Sequence, residues 1–420
     1  ALVRAFTGGE AELTSSRTVA FHFFDTFDWR LYNRGLVLVR VDRVFLLRDL
    51  RSGEILASQP APTGAAPPFV WDWEPGPLRD LLEKAVKVRA LVHIANLEGS
   101  VRGLDHTDPR SGRTWRLEIL ELRLVRAGRE LSFPHILSMV PPDSRDRGGK
   151  RLMKRVRAAG LRSLPPTLLE PALLMARIRP GAYTSKVNVR LDPEWPAREA
   201  GVVLARRMLR TMNDNLKGMR QDVDTDFLHD YRVAMRRTRS LLKLFKSVFP
   251  PSLRREFRER FRKVGEVTGP VRDLDVYLLR YAEYKAMVPA KRHQGLQELF
   301  SIAVRRRAEA QRELVDWIDA GEFKTLMRDW SRALDDEIAW RDAPARSDTP
   351  AGRFFGKVLS DNYARVCAMG EAMGEEPSDE NLHRLRIACK QFRYALEFSA
   401  SLGKKKDREA LIRVMKRLQD

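Results

Sequence analysis

The sequence predicts two structural classes in one chain of 420 residues. Residues 1–190 read as an α+β half built mainly of antiparallel strands, and residues 197–420 as an all-α half. Three observations predict this. Short runs rich in Val, Leu and Phe, separated by Gly, Pro and Asp, fill the first half. From Ala197 onward the apolar residues recur at three- and four-residue steps. Within that second half one helical pattern occurs twice, 154 positions apart.

In the first half, RTVAFHFFDT (17–26) and GLVLVRVDRVFLLRDL (35–50) carry strand composition. Asp42-Arg43 marks a turn that makes the second a hairpin. APTGAAPP (61–68) is a loop on its Pro and Gly content. PLRDLLEKAVKVRALVHI (77–94) begins as a helix and ends as a strand. TWRLEILELRLV (114–125) alternates Arg116, Glu118 and Glu121 with apolar residues, as a strand with one wet face does. PDSRDRGGKRLMKRVRAAGL (142–161) reads as a basic helix, and TSKVNVRLDPEWP (184–196) as a last strand and a Pro-bounded linker. This order fits an α+β domain or a closed antiparallel barrel.

In the second half, candidate helices span 197–220, 226–249, 252–268, 271–287, 290–319, 322–340, 351–373, 378–400 and 406–420. Breaks fall at Pro250-Pro251, Gly269-Pro270, Val288-Pro289, Gly321, Pro344 and Pro377. Several helices carry Pro at their start, where its missing N–H costs nothing.

One of these helices, HDYRVAMRRTRSLLKLFK, carries a cationic stripe. His229, Arg232, Arg236, Arg239, Lys243 and Lys246 step by three or four, so they share one helical face. Val233, Leu241, Leu244, Phe245 and Val248 form an apolar back. The second copy is HRLRIACKQFRYALE. Its His383, Arg386, Lys390 and Arg393 each lie 154 positions after their counterparts. Apolar positions share the offset, pairing Leu228 with Leu382 and Val233 with Ile387. A duplicated helical unit with a pseudo-twofold relation is expected. The counterpart of Arg272 falls beyond Asp420, so the second repeat is expected to be incomplete.

The net charge of +21, from 77 Lys+Arg against 56 Asp+Glu, attracts polyanions. Nucleic acid, anionic membrane and polyphosphate are the candidate classes, and an Arg-rich proteome accounts for part of the charge without explaining the ordered stripes. No apolar run approaches the roughly 20 residues that span a bilayer. The two cysteines, Cys367 and Cys389, argue against a disulfide scaffold and fit a reducing cytoplasm.

FFDTFDWRLYNRGLVLVR (23–40) resembles the core segment of CYTH domains, the triphosphate tunnel fold. That resemblance implies a β-barrel or tunnel whose basic residues hold triphosphate and whose carboxylates hold a divalent metal. The family's Glu-x-Glu-x-Lys signature is degenerate here. Its nearest match is Glu10-Ala11-Glu12-Leu13-Thr14, without the lysine. Residues 1–190 are therefore expected to be CYTH-like in fold and inactive, with Glu118 and Glu121 ordinary strand residues. Metal-dependent triphosphatase activity is the competing expectation.

The repeats at 229–239 and 382–394, with GPVRDLD at 269–275, are similar to the CHAD domain, the conserved-histidine α-helical domain. The resemblance covers about 197–420. It implies two four-helix bundles about a pseudo-twofold axis, a basic groove between them, and inorganic polyphosphate as the ligand. Gln391 departs from it, standing where the first repeat has Arg237.

The residue types suit that ligand. Polyphosphate carries about one charge per phosphate and no bases, so a binder needs cations at regular steps. Residues three or four apart on a helix are separated by roughly 5 Å along its axis. Arg offers bidentate donors to phosphate and keeps its charge. Expected polyphosphate ligands are His229, Arg232, Arg236, Arg237, Arg239, Lys243, Lys246, Arg272, His383, Arg386, Lys390 and Arg393, with Arg206 and Arg210 from the preceding helix. Asp273 is expected to orient an arginine as its counter-ion, or else to start a helix. The histidines read as ligand donors or as core groups that anchor their helices. Neither has a second His or Cys one turn away, so no metal is expected. No cofactor and no catalytic residue is expected, nor a membrane partner. Nucleic-acid binding by the basic helices is the alternative, against which stands the lack of interleaved aromatics for base stacking. The expected location is the cytoplasm, in association with polyphosphate granules.

Overall fold

The computed structural model describes residues 12–62, 67–107, 114–126, 128–140, 154, 157–158, 160–374 and 377–418. The chain divides into two compact units, Ala1–Thr184 and Ser185–Asp420. Among the described residues no helix is long and apolar enough to cross a membrane.

The first unit is one antiparallel sheet. Its strands are β1 (Glu12–Thr26), β2 (Leu36–Val41), β3 (Val44–Asp49), β4 (Ile55–Pro60), β5 (Leu91–Thr107), β6 (Thr114–Arg126), β7 (Arg129–Ser132) and β8 (Ile136–Val140). Their order is β4-β3-β2-β1-β5-β6-β7, with β8 also pairing β6. The predicted hairpin is present, with Val41 opposite Val44 and Asp42 in the left-handed region at φ 52°. β2 is apolar almost throughout because both sheet faces are covered. Val37 and Val39 pack with Leu97 and Leu122 under the helix α2 (Leu169–Met175). Leu38 points the other way, joining Phe45, Leu47 and the buried side of helix α1 (Pro77–Val86).

The expected barrel is not formed: among the described residues the sheet is open. β4 pairs only with β3 and β7 only with β6. Closure requires edge strands long enough to meet in a staggered register. Here β4 ends at Pro60, which has no N–H to give, and β7 has four residues. β4 itself, in a polar stretch, was not legible as a strand. The predicted basic helix at 142–161 lies mostly outside the described residues, as do Glu10 and Ala11.

The FFDT segment turns around a buried carboxylate. Asp25 accepts N–H bonds from Thr26 at 2.7 Å and from Leu31 and Tyr32 at 2.9 Å. Nearby, Asp28 faces Arg30 at 2.9 Å and the fully buried Arg89 at 3.6 Å. Arg30 also donates to Val86 O at 2.6 Å, which ties this turn to the end of α1.

The second unit is helical, as predicted. It contains α3 (Ala197–Arg220), α4 (Thr225–Leu244), α5 (Pro251–Val267), α6 (Gly269–Leu279), α7 (Tyr281–Met287), α8 (His293–Asp319), α9 (Gly321–Ala333), α10 (Ala351–Glu371), α11 (Asp379–Phe398) and α12 (Lys405–Arg417). Three predicted helices are shorter or broken. The 226–249 helix ends at Leu244, where Phe245 and Phe249 turn inward onto Phe354 at 4.6 Å and Trp340 at 5.0 Å. The 271–287 helix breaks at Arg280 into α6 and α7, and the 322–340 helix stops at Ala333. The two histidine helices begin alike. Asp224 caps α4 by accepting from Asp226 N and Phe227 N, and Ser378, 154 positions later, caps α11 through Asn381 N.

The expected strand within 184–196 is instead an extended strap on the helices. Its two prolines interrupt any ladder. Its carbonyls at Pro193 and Trp195 accept from Gly352 N at 2.8 Å and Ala351 N at 2.7 Å. Those are orphan donors at the start of α10, which any helix must satisfy somewhere.

Burial pushes the Asp25 carboxyl up from 3.8 to about 6, outweighing the three N–H bonds that favour its charged form. The folded state thus keeps a proton that the unfolded chain releases near pH 3.8. The stability this group contributes is full below that pH and lost as pH rises through about 6. In urea unfolding, the stability of wild type minus that of Asp25→Asn should fall by on the order of 3 kcal/mol between about pH 3.5 and pH 7. A difference that does not change with pH would exclude this account.

Candidate polyanion groove

The cationic stripes of α4 and α11 converge. A pocket of about 400 Å³ is lined from α4 by Arg236, Arg239 and Lys243, and from α11 by Lys390 and Arg393. Arg258 joins them from α5. No carboxylate lines this pocket among the described residues. Burial lowers the Lys390 pKa, and the positive field of Arg386, Arg236 and Arg393 lowers it further. Arg236 belongs to the other stripe, so the two repeats share one electrostatic site.

A second pocket of about 580 Å³ shares Lys243 and Gln391 with the first. Its other cations are Lys246 and, beyond the turn, Arg346, Arg353, Lys357 and Arg365. Its one carboxylate, Asp361, is held by Lys357 at 3.1 Å. Gln391 sits at the junction and accepts from Arg365 at 3.4 Å. Burial lowers the Lys243 pKa, assisted by Arg365 and Arg258. Each pocket presents six Lys and Arg, with Lys243 counted in both, so eleven cations face one carboxylate.

The head of the first stripe is built differently. His229 is half-buried on α4. Arg232 donates to Gly265 O at 2.9 Å and to Thr268 Oγ1, which fastens it to the end of α5. Its pKa is lowered by burial and by Arg236 and Arg272, with Asp273 acting in the opposite sense. Asp273 thus stands where a counter-ion to Arg232 would. Behind it Asp275 is buried and bonded to Arg307 at 2.9 Å, and Arg307 also binds Asp222 at 2.6 Å. At the corresponding place in the second stripe, His383 and Arg386 are exposed.

The family model of the CHAD domain matches residues 203–420. The chain belongs to the CHAD domain family. No curated protein matches it. Two solved structures are similar to it. One is the crystal structure of the CHAD domain from the plant Ricinus communis, with 24% identity and a TM-score of 0.47, covering 56% of this chain and 76% of that chain. The other is PptA from Streptomyces chartreusis, with 13% identity and a TM-score of 0.42, covering 53% of this chain and 81% of that chain.

Within the CHAD region, eight of the fourteen expected ligands line neither pocket: His229, Arg232, Arg272, His383 and Arg386 at or beside the stripe heads, together with Arg237, Arg206 and Arg210. Arg237 follows Arg236 by one residue, about 100° around the helix. It turns from the stripe to bind Glu397 at 2.8 Å and Ser185 O at 2.7 Å. Arg206 pairs with Asp335, and Arg210 lies near Asp214, whose carboxyl it helps to hold down against burial. Arg307 is one of the least exposed arginines, at 15%. Its partners lie on the loop before α4 and on α6, distant in sequence, which is why spacing did not reveal it.

Several groove residues escaped the sequence reading: Arg258, Arg346, Arg353, Lys357 and Arg365. The last three had a signal. Arg353, Lys357, Asp361 and Arg365 recur at four-residue steps along α10, and only the acidic member hides the stripe.

Glu397 accepts from Arg237 of α4 and from Arg393 of its own helix. All three side chains are at most 15% exposed. Glu397→Ala leaves two poorly hydrated guanidiniums without their carboxylate, which should cost about 3 kcal/mol of stability in chemical unfolding. An unchanged unfolding midpoint would show that the clamp contributes nothing.

Proposed function

We propose that the helical unit binds inorganic polyphosphate along the groove between α4 and α11, extended by α10. The observation that carries this is the crowding of eleven cations around two joined pockets with one carboxylate, itself engaged by Lys357. Apart from Arg393, held by Glu397, and Lys357, held by Asp361, these cations have no ion-pair partner among the described residues, and a flexible polyanion supplies counter-charge at many points at once. Steps of three and four residues along α4 set cations roughly 5 Å apart, a spacing a phosphate chain can follow. Most are arginines, which grip phosphate oxygens in pairs. The two repeats are read as facing half-sites about a pseudo-twofold axis. The matching caps at Asp224 and Ser378 support that relation. The location that fits is the cytoplasm, at polyphosphate granules.

Duplex or single-stranded nucleic acid fits less well. The groove's one lining aromatic among the described residues apart from Phe354 is Tyr394, which lies under Arg393 at 4.6 Å, and both rings are buried. Neither presents an open face on which bases could stack.

For the first unit we infer a CYTH-like origin without triphosphate turnover. The cleft beside its sheet is walled by Phe21, Phe23, Val37, Val39, Val41 and Leu46 together with Arg17, Arg48 and Glu118, and position 14 holds Thr where the CYTH signature has Lys. Glu121 pairs with Arg102. Activity lost on Glu118 or Glu121 substitution would overturn this part.

Binding is tested by competition. Long-chain polyphosphate should displace a labelled chain far better than tripolyphosphate or duplex DNA at moderate salt, and equal competition by DNA would count against the reading. Arg236→Glu with Arg239→Glu should weaken polyphosphate binding by at least about a hundredfold, since two attractive charges become repulsive. Helical circular dichroism should stay unchanged. Undiminished binding would move the site elsewhere.

A further inference from the structure

The pockets contain two amines among guanidiniums. Lys243 stands between Arg258 of α5 and Arg365 of α10, at the junction of both pockets. Lys390 stands among Arg236, Arg386 and Arg393. No carboxylate lines the pocket that holds both, and Asp361 in the adjoining one is occupied by Lys357. An ordinary surface lysine is a strongly hydrated ammonium with no lone pair to offer. Lys390 is half-buried and Lys243 lies at an exposed position, yet both are ringed by positive charge, which favours the neutral, nucleophilic amine. The direction is the same for each lysine, and in each case burial is the first cause and the arginines the second.

We propose that Lys243 and Lys390 are self-acylation sites that react with small acyl phosphates recruited by the groove's own arginines. The inference rests on the reading of this groove as a phosphate-binding site. An acyl phosphate is a mixed anhydride of a carboxylic and a phosphoric acid. Its phosphate is the anion that paired guanidinium donors grip, and its acyl carbon lies one bridging oxygen away. Holding that carbon beside an amine makes a bimolecular reaction effectively local. The lysine nitrogen attacks the acyl carbon, the bond from that carbon to the bridging oxygen breaks, and the amine proton passes through solvent to the departing phosphate. The products are an amide on the lysine and hydrogen phosphate, with no oxidant or further reactant. Arginines around the leaving group stabilise the charge it carries away.

The consequence is regulatory. Each acylation deletes one cation where the two pockets meet and adds an apolar cap in its place. Polyanion affinity then falls as acyl phosphate rises, and bound polyanion shields the amines from the reagent.

The test uses the full chain with acetyl phosphate and follows acetylation at each lysine by mass spectrometry over time. Lys285 and Lys324, which are exposed, serve as internal references. Lys243 and Lys390 should be modified at least about tenfold faster than either. Saturating polyphosphate should suppress the two groove sites alone. Arg258→Gln with Arg365→Gln should remove the advantage of Lys243 and leave that of Lys390. Rates at the two groove lysines no greater than at Lys285 and Lys324 would overturn the proposal. Polyphosphate binding is measured on the same preparation by displacement of a labelled chain. Binding with unselective acetylation overturns this proposal alone. Selective acetylation without polyphosphate binding upholds it and overturns the choice of polyphosphate as ligand. Failure of both removes the groove as a phosphate site.

Discussion

The carboxylate of Glu397 holds together the two halves of the groove. It stands on α11, one turn beyond Arg393, and takes one guanidinium from each repeat: Arg237 from α4 and Arg393 from its own helix. Helices that present cations to each other repel, and at short range in a partly dry interface that repulsion is not well screened. Something must oppose it for the stripes to converge. Each helix is held by its own apolar back: Phe392 and Leu396 of α11 pack with Val366 and Met415, while Leu241 and Leu242 of α4 are fully buried or nearly so. The clamp adds what packing cannot, a specific attraction across the seam that fixes which turn of one helix meets which turn of the other. One carboxylate satisfied by two arginines still leaves net positive charge at the seam, so the groove is organised without being neutralised.

That division of labour sorts the arginines. Those with protein partners are parts of the frame: Arg237 with Glu397, Arg307 with Asp275 and Asp222, and Arg232 with the end of α5. Those turned to the pockets, such as Arg236, Arg239, Arg258 and Arg353, have a carboxylate deficit around them. A basic protein could spread its charge over the whole surface and gain solubility alone. Here most acidic partners serve the frame, and within the groove only Arg393 and Lys357 are paired among the described residues, which leaves the charge unevenly distributed.

Much of this was legible in the sequence, and the legible part has a common cause. Periodicity reports which residues share a face, so the stripe on α4, its copy on α11 and the helical class of the second half could be read directly. So could the hairpin at Asp42, because a left-handed turn residue between two apolar runs is a local signal. What stayed hidden depends on contacts between distant segments. Arg237 is adjacent in sequence to a groove residue, yet it faces Glu397 at a separation of 160 residues. Arg307 is covered by α6 and the loop before α4, segments whose partners Asp275 and Asp222 lie far from it in sequence. The barrel failed for the same reason: strand composition announces strands, while closure depends on the two edges, where β4 ends in a proline and β7 is four residues long.

Equal register does not produce equal surroundings. Leu228 is buried at 3% exposure, whereas Leu382 at the matching position is 46% exposed; His229 is half-buried and His383 exposed. The sequence symmetry of the repeats therefore holds at the middle of the stripes and fades toward their heads. In the middle, Arg236 and Lys390 lie in each other's field. At the first head, Arg232 is fastened to the end of α5, so it arrives preorganised. At the second, Arg386 is exposed. On the proposed reading a polyphosphate chain would meet a fastened end, a shared centre and an exposed end, and ordering an exposed arginine costs more side-chain entropy than engaging one already bonded.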